Sequence, residues 1–169
     1  MPVNGSFRII AKFVATPSSP ENYDATTSTP TIDAELSLTS GTADGSADLV
    51  FTARRSLGAS STETLDLAGG LTDVYGATLT FVDVVGMVVR NRETTSTRVL
   101  RVGPNAANGF LGPFVDATDR IAIGPSGIFS TWRDSGWTVT AGTGDLLFFQ
   151  NTDGAGAISY DVLLVGRSA

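Results

Sequence analysis

The sequence contains neither cysteine nor histidine among its 169 residues. Without cysteine the chain cannot form a disulfide, a zinc-thiolate site or a thiol nucleophile, and its folding needs no oxidising compartment. Without histidine it lacks the usual general base and transition-metal ligand near neutral pH, which excludes histidine-dependent triads and zinc hydrolases. Lys12 is the single lysine, so a lysine Schiff base would have to form there.

Long apolar runs and positive charge are also scarce. No apolar stretch reaches the length of a membrane helix or of the hydrophobic region of a secretion signal, so we expect a protein made in the cytosol. The 11 basic and 17 acidic residues give a net charge of −6, which disfavours nucleic acid and anionic membranes as partners. Stability must come from packing or assembly, and 41% hydrophobic residues suffice for one substantial domain.

What is present from Asp33 onward is a series of short β-rich runs separated by Gly, Asp, Asn and Pro. No stretch has the 3.6-residue apolar period of a helix. The pattern predicts an all-β fold for residues 33–169, an antiparallel double-sheet sandwich of the jelly-roll type. The predicted strands are 35–38, 49–55, 63–67, 78–91 with a bulge at Gly86, 98–102, 120–123, 127–132, 137–140, 145–150 and 158–166.

The segment DLAGGLTDVYGATLTF, residues 66–81, joins two of these strands. Its length fits neither a short hairpin turn nor a useful helix. Gly69 and Gly70 would release the chain from the first strand, Thr72 or Asp73 would cap a single turn, and Gly76 would end it in the left-handed conformation. We therefore expect a corner that carries the chain from one sheet to the other.

Residues 1–32 are predicted to form an extended N-terminal arm. Residues 7–14, FRIIAKFV, read as one strand, and residues 16–30 contain three prolines among many serines and threonines, a composition that resists regular structure. Such a strand can pair with its own domain or add to the sheet edge of a neighbouring subunit. In the second case Phe7, Ile9 and Phe13 would be buried against the neighbour, and they are candidate partner-binding residues.

Three of the predicted strands are apolar on both faces: residues 84–89, 146–149 (LLFF) and 162–165 (VLLV). A strand with one wet face should alternate, so something must cover the second face. Either loops or the N-terminal arm do so within one subunit, or the face is a subunit interface. The second reading predicts self-association as a dimer or trimer.

The order of glycine-marked corners and apolar strands resembles a known family. The segments that carry it are DLAGGLTDVYGATLTF, a run ending in VVRN, VGPNAANGFLGPFVDATDRIAIGPSGIF, and GWTVTAGTGDLLFFQNTDGAGAISYDVLLVGRSA. Residues 33–169 resemble the small β-sandwich structural proteins of tailed bacteriophages, of the capsid decoration (cement) or head-fibre kind. The resemblance implies a virion component, assembled in the host cytoplasm, that binds the major capsid protein or other virion proteins.

The polar motifs give weaker indications. Arg90, Arg92, Arg98 and Arg101 flank the loop of residues 93–97, where they would bind acidic groups on a partner or simply form a solvated hairpin end. Residues 44–48 and 151–154 echo calcium loops without the full ligand spacing, so no metal and no cofactor is predicted.

Two functional classes follow from these features, together with a third that we disfavour. The first is a capsid decoration protein that stabilises the assembled head. The alternative is a carbohydrate- or receptor-binding module of a phage tail or fibre, with Trp132 and Trp137 as a stacking platform beside Arg133 and Asp134. An enzyme is not expected, because glycoside hydrolysis needs two carboxylates in a cleft and the acidic residues lie at apparent turns.

Overall fold

The computed structural model describes residues 3–14 and 29–169, and this part of the chain consists of strands and loops. Among these residues there is no helix that could span a membrane. The predicted all-β class is confirmed. The strands are β1 (Gly5–Lys12), β2 (Thr31–Ser40), β3 (Ser46–Ala47), β4 (Leu49–Leu57), β5 (Thr62–Asp66), β6 (Ala68–Thr72), β7 (Thr78–Thr80), β8 (Asp83–Asn91), β9 (Leu100–Pro104), β10 (Ile121–Ile123), β11 (Ile128–Thr138), β12 (Leu146–Asn151) and β13 (Ile158–Arg167).

Two four-stranded antiparallel sheets form the main body of the protein. Their strand orders are β10-β9-β12-β5 and β11-β8-β13-β4. Both sheets contribute side chains to one hydrophobic cluster, for example Leu147 and Phe149 of β12 and Val162 and Leu164 of β13. Burying each such side chain contributes about 1.5–3 kcal/mol. We call these eight strands the two-sheet body.

Strand β12 shows how a run that is apolar on both faces is accommodated. Leu147 and Phe149 are buried in the core, whereas Leu146 and Phe148 point outward and are partly buried. The guanidinium of Arg120 lies over the ring of Phe148, 4.8 Å from its centroid. The second face of this strand is therefore partly covered from within the chain.

The second face of β8 and β13 is covered by the N-terminal strands. β1 and β2 pair antiparallel, from Gly5 opposite Leu38 to Lys12 opposite Thr31, and we call this pair with residues 13–14 the N-terminal ribbon. Phe7 and Leu38 of the ribbon form a second hydrophobic cluster with Val85 and Val165 of the body. At this position the strands that are apolar on both faces are thus covered by the N-terminal arm of the same chain, which is the first of the two explanations given above.

A bulge at Gly86 in β8 makes room for the ribbon. Opposite β13 the pairing passes from Gly86–Val165 to Val84–Gly166, which leaves Val85 unpaired as the extra residue. The predicted bulge is confirmed. A Cβ atom at Gly86 would lie 2.3 Å from Cζ of Phe7, so the aromatic ring rests directly on the strand backbone.

The segment 66–81 contains a hairpin, and our prediction that it does not was wrong. Strands β6 and β7 pair antiparallel with Leu71 opposite Leu79 and Thr72 opposite Thr78. The two glycines that we expected to release the strand lie inside β6, where the register shifts between Ala68 and Leu71. Glycine there permits a bulge instead of ending the strand.

The turn and the direction of this segment do agree with the prediction. Asp73 Oδ1 accepts hydrogen bonds from the backbone N–H groups of Tyr75 and Ala77, both at 2.8 Å. Gly76 has a φ of 85°, the left-handed conformation that the turn requires. The chain passes from β5 in one sheet to β8 in the other, as a corner should.

Two further predictions concern residues 127–140 and the proline-rich tether. Residues 127–140 were expected to form two strands, but β11 is a single strand whose register shifts between Trp132 and Trp137. The polar residues between the tryptophans form a bulge instead of a turn, because β8 continues to pair on both sides of them. The predicted proline-rich tether, residues 16–30, lies almost entirely in residues 15–28, outside the described residues.

Candidate interaction surface

The ribbon covers only part of the outer face of the β11-β8-β13-β4 sheet. Beyond Phe7, a cavity of about 800 Å³ lies between β1 and this sheet. We call it the outer groove, and its wall is the backbone of β1 from Gly5 to Ile10. Its floor is formed by Val50, Val88, Ile128, Ser130, Leu163 and Val165.

The floor of the outer groove follows from the strand register. Ser130, Val88 and Leu163 lie side by side on β11, β8 and β13, and the latter two are only partly buried. In the next row the residues of β8 and β13 are charged, with Arg90 opposite Asp161. Arg54 of β4 lies opposite Asp161 on its other side. The groove therefore has an apolar floor that ends at a charged row.

The charged row carries more positive than negative groups. Asp161 accepts hydrogen bonds from Arg54 Nε at 2.8 Å and from Arg92 Nη1 at 2.9 Å, and these bonds hold the pKa of its carboxyl below the usual value. Arg90 forms no ion pair with any residue in 3–14 or 29–169. Three guanidinium groups thus face one carboxylate, on a chain whose net charge is −6.

The four predicted arginines do not form one cluster. Arg90 and Arg92 lie at the end of the outer groove, whereas Arg101 is exposed on β9 of the other sheet. Arg98 binds Glu93 through Nη1 at 2.6 Å. The loop between them joins β8 and β9, which belong to different sheets, so our interpretation of it as a hairpin end was wrong.

The inner face of the ribbon is apolar and uncovered beyond Phe7. Phe7 is 7% exposed and is buried against its own chain, while Ile9 and Phe13 on the same face are 41% and 69% exposed. The register places Ile9 opposite Ala34 and Ala11 opposite Ile32, which is 70% exposed. Of the predicted partner-binding residues on β1, Ile9 and Phe13 are thus accessible and Phe7 anchors the ribbon.

The two tryptophans lie on opposite sides of β11. Trp132 packs in the second cluster, with its ring centroid 6.0 Å from that of Phe7. Trp137 packs against the core between the two sheets. The two indoles therefore do not form a joint stacking platform for a sugar.

The motif NTDG at residues 151–154 orders loops. Asn151 is fully buried, and its Nδ2 donates hydrogen bonds to the carbonyls of Leu57, Gly58 and Gly156 at 2.8–3.2 Å. Asp153 accepts from the N–H of Ala155 and the hydroxyl of Thr97, which lowers the pKa of its carboxyl. Within residues 3–14 and 29–169, no group of three or more metal-binding side chains comes together.

A polar cluster that the sequence did not reveal joins the two sheets at one side. The hydroxyl of Tyr160, fully buried on β13, donates to Glu63 Oε2 on the edge strand β5 at 2.7 Å. Arg55 on the edge strand β4 donates to Oε1 of the same carboxylate. Burial alone would raise the pKa of Glu63, but the bonds from Arg55 and Tyr160 outweigh it and lower the pKa.

No family model, curated protein or solved structure matches the chain. The ionic side chains described above mostly pair within the chain, as in the Arg55–Glu63 and Arg92–Asp161 pairs. Among the accessible features are the inner face of the ribbon, the outer groove and the arginines at its end. The sequence shows that some strands are apolar on both faces. It does not show which part of these faces the chain covers with its own residues.

Proposed function

We propose that the chain is a structural virion protein of a tailed bacteriophage, a capsid decoration or cement protein that binds and stabilises the assembled head. The observation that supports this proposal is the apolar surface that the chain leaves open: the inner face of the ribbon around Phe13 and Ile32 and the outer groove beside it. Contiguous exposed apolar surface marks a site that another protein covers. Assembly, not chemistry, is the role that such a surface serves.

We further propose that the two-sheet body is a jelly roll. Numbering its eight strands along the chain, the sheets have the orders 6-3-8-1 and 5-4-7-2. This order is expected when an eight-stranded ribbon folds over as two Greek keys. Viral capsid domains use this architecture, and so do lectins. The fold therefore agrees with the proposed role and does not decide it.

The test is to purify the particles from the host that makes the chain and to locate the chain in them. Mass spectrometry should detect it as a particle component, and cryo-electron microscopy should show its density at symmetry-related positions on the outside of the head. A chain that is missing from purified particles, or that sits inside them, contradicts the proposal.

A pair of variants then asks whether the ribbon makes the contact. Phe13→Ser removes an exposed apolar side chain from the ribbon, and Tyr75→Ser removes one that is 77% exposed on the β6–β7 turn. We expect Phe13→Ser to reduce the amount of chain that sediments with particles, and Tyr75→Ser to leave it unchanged. Equal retention of both variants would show that the particle contact lies elsewhere.

The alternative, a carbohydrate- or receptor-binding module of a phage tail or fibre, is less well supported. It was based on Trp132 and Trp137 acting together, and the two indoles face opposite sides of β11. A glycan array with the protein and its Trp132→Ala and Trp137→Ala variants tests it directly. Glycan binding that either variant abolishes would favour this role over decoration.

A further inference from the structure

Among the described residues, both long edges of the ribbon lack a neighbouring strand over most of their length. In the sheet of order β1-β2-β3, β1 is an edge strand, and β3 pairs with β2 only at Thr39 and Ser40. Within the described residues, the outer edge of β1 and that of β2 from 31 to 38 are therefore unpaired. An unpaired edge is a template on which another strand can add.

The hydrogen-bond pattern shows which residues present their backbone groups at these edges. The N–H of Phe13 donates to the carbonyl of Pro30 at 3.1 Å, which makes this a hydrogen-bonded pair of the ribbon. Because such pairs alternate along antiparallel strands, the odd-numbered residues of β1 bond to β2 and the even-numbered ones face outward. The outward-facing groups belong to Ser6, Arg8, Ile10 and Lys12 on β1 and to Thr31, Asp33, Glu35 and Ser37 on β2.

The two edges carry opposite charges. Arg8 and Lys12 are the charged residues of β1, and Asp33 and Glu35 are those of β2. We propose that the outer edge of β1 in one copy pairs antiparallel with the outer edge of β2 in a second copy. Pairing of β1 with β1, or of β2 with β2, would instead bring like charges together, which destabilises a cross-strand pair.

The two faces of the ribbon also match in this arrangement. The charged side chains of both edges lie on the outer face, and Arg8 already binds Asp33 of its own chain there. The inner faces of the two copies would also align, so Ile9 and Phe13 of one copy would extend into Ile32 of the next. The added strand thus continues the apolar face that a single chain leaves open.

The proposed contact joins two different surfaces, so each copy retains one free edge of each kind. Such a heterologous interface either closes into a ring or grows into an open filament. Charged side chains on edge strands disfavour indefinite sheet growth, so we expect a small closed assembly. This inference concerns the isolated chain and does not depend on the proposed virion role, so either can fail while the other stands.

The first experiment blocks the edge without removing the ribbon. Native mass spectrometry and sedimentation velocity at micromolar concentrations should show an oligomer for the full chain. Ile10→Pro removes an N–H that faces the free edge, whereas Ile10→Ala removes more of the side chain but keeps the N–H. We expect Ile10→Pro to be monomeric and Ile10→Ala to associate, with equal circular dichroism for both.

The second experiment exchanges the charges. Lys12→Glu and Glu35→Lys each place like charges at the proposed contact and should weaken association by about 2- to 30-fold. The double variant Lys12→Glu/Glu35→Lys restores opposite charges between copies and should restore the affinity. In one chain Lys12 faces Thr31 and Glu35 faces Arg8. Glu35→Lys therefore also places like charges within the ribbon, but the double variant restores no pair there, so a recovery of affinity must arise between copies.

Three results would overturn the proposal. One is a full-length chain that stays monomeric at these concentrations, and another is an oligomer that Ile10→Pro leaves intact. The third is a double variant no tighter than the single ones, which would mean that the charges do not meet between β1 and β2. An oligomer that Lys12→Glu strengthens and Glu35→Lys leaves unchanged would also contradict the proposal and would point to pairing of β1 with β1.

Discussion

The contact between Gly86 and Phe7 allows a quantitative test of how the ribbon is attached. Gly86→Ala would place Cβ 2.3 Å from Cζ of Phe7, more than 1 Å closer than an ordinary van der Waals contact of 3.4–4 Å. Because the backbone of Gly86 is not in the left-handed region, alanine itself fits the strand and only the ring must move. Overpacking of this kind costs about 1–3 kcal/mol.

When the ring of Phe7 is absent, Gly86→Ala should raise the free energy of unfolding instead of lowering it. In a Phe7→Ala background the added methyl group finds open space, and alanine is favoured over glycine within a strand by about 0.5–1 kcal/mol. The two substitutions should therefore be coupled by about 1.5–4 kcal/mol in the free energy of unfolding. Phe7→Ala alone should cost up to about 3–5 kcal/mol, limited by the free energy with which the ribbon docks.

Urea unfolding followed by tryptophan fluorescence measures these values, because Trp132 contacts Phe7. The matched control is Gly144→Ala, where the nearest atom to a Cβ would be 3.7 Å away and no clash arises. It should not couple to Phe7→Ala. If Gly86→Ala and Phe7→Ala are additive within about 0.5 kcal/mol, the ring does not rest on Gly86 and the described attachment is incorrect.

Three further predictions concern the buried polar groups. Glu63→Gln should lower the free energy of unfolding by about 1–3 kcal/mol at neutral pH. Folding lowers the pKa of Glu63, so the native residue has its full advantage above the pKa of the unfolded chain. In acid titrations the difference between the two proteins should vanish as the pH falls through the folded pKa. Asn151→Ala should cost about 2–3 kcal/mol in urea unfolding, because it leaves loop carbonyls without donors. Arg167, which is 2% exposed, donates hydrogen bonds to the carboxylates of Asp44 and Asp83. In thermal melts Arg167→Met should lower stability by about 3–5 kcal/mol because it leaves Asp83 unpaired, whereas Arg133→Met, at an exposed position, should have almost no effect.

Much of the fold could be predicted because strands and turns have local signals. β-branched runs bounded by glycine and aspartate placed most strands of the two-sheet body within a few residues of their observed bounds. Gly86 was recognised as a bulge for the same reason. The hairpin of β6 and β7 was missed because glycine inside a strand and glycine ending a strand look alike in a sequence. The difference depends on pairing with β7, which is a tertiary interaction.

The interaction surface was predicted only in outline. The absence of alternation in β8 and β13 correctly indicated that something covers their second face. It did not indicate that Phe7 would take one part of that face and leave Val88 and Leu163 beside a groove. The pairing of Arg92 with Asp161, 69 residues further along the chain, also depends on which elements meet at one end of the body. Sequence distance carries no information about those contacts.

The ribbon is fixed to the body near Phe7 and projects beyond it, so it acts as a lever. From Phe7 to Phe13 an extended strand spans about 20 Å. A rotation of about 10° at the Phe7 contact then moves Phe13 by about 3.5 Å, with no change inside the two-sheet body. One chain can in this way meet neighbours whose spacing or tilt differs by several ångströms. In a curved shell, chemically identical subunits occupy positions that are not geometrically identical. A protein that binds such a shell must accommodate neighbours that differ in spacing and tilt.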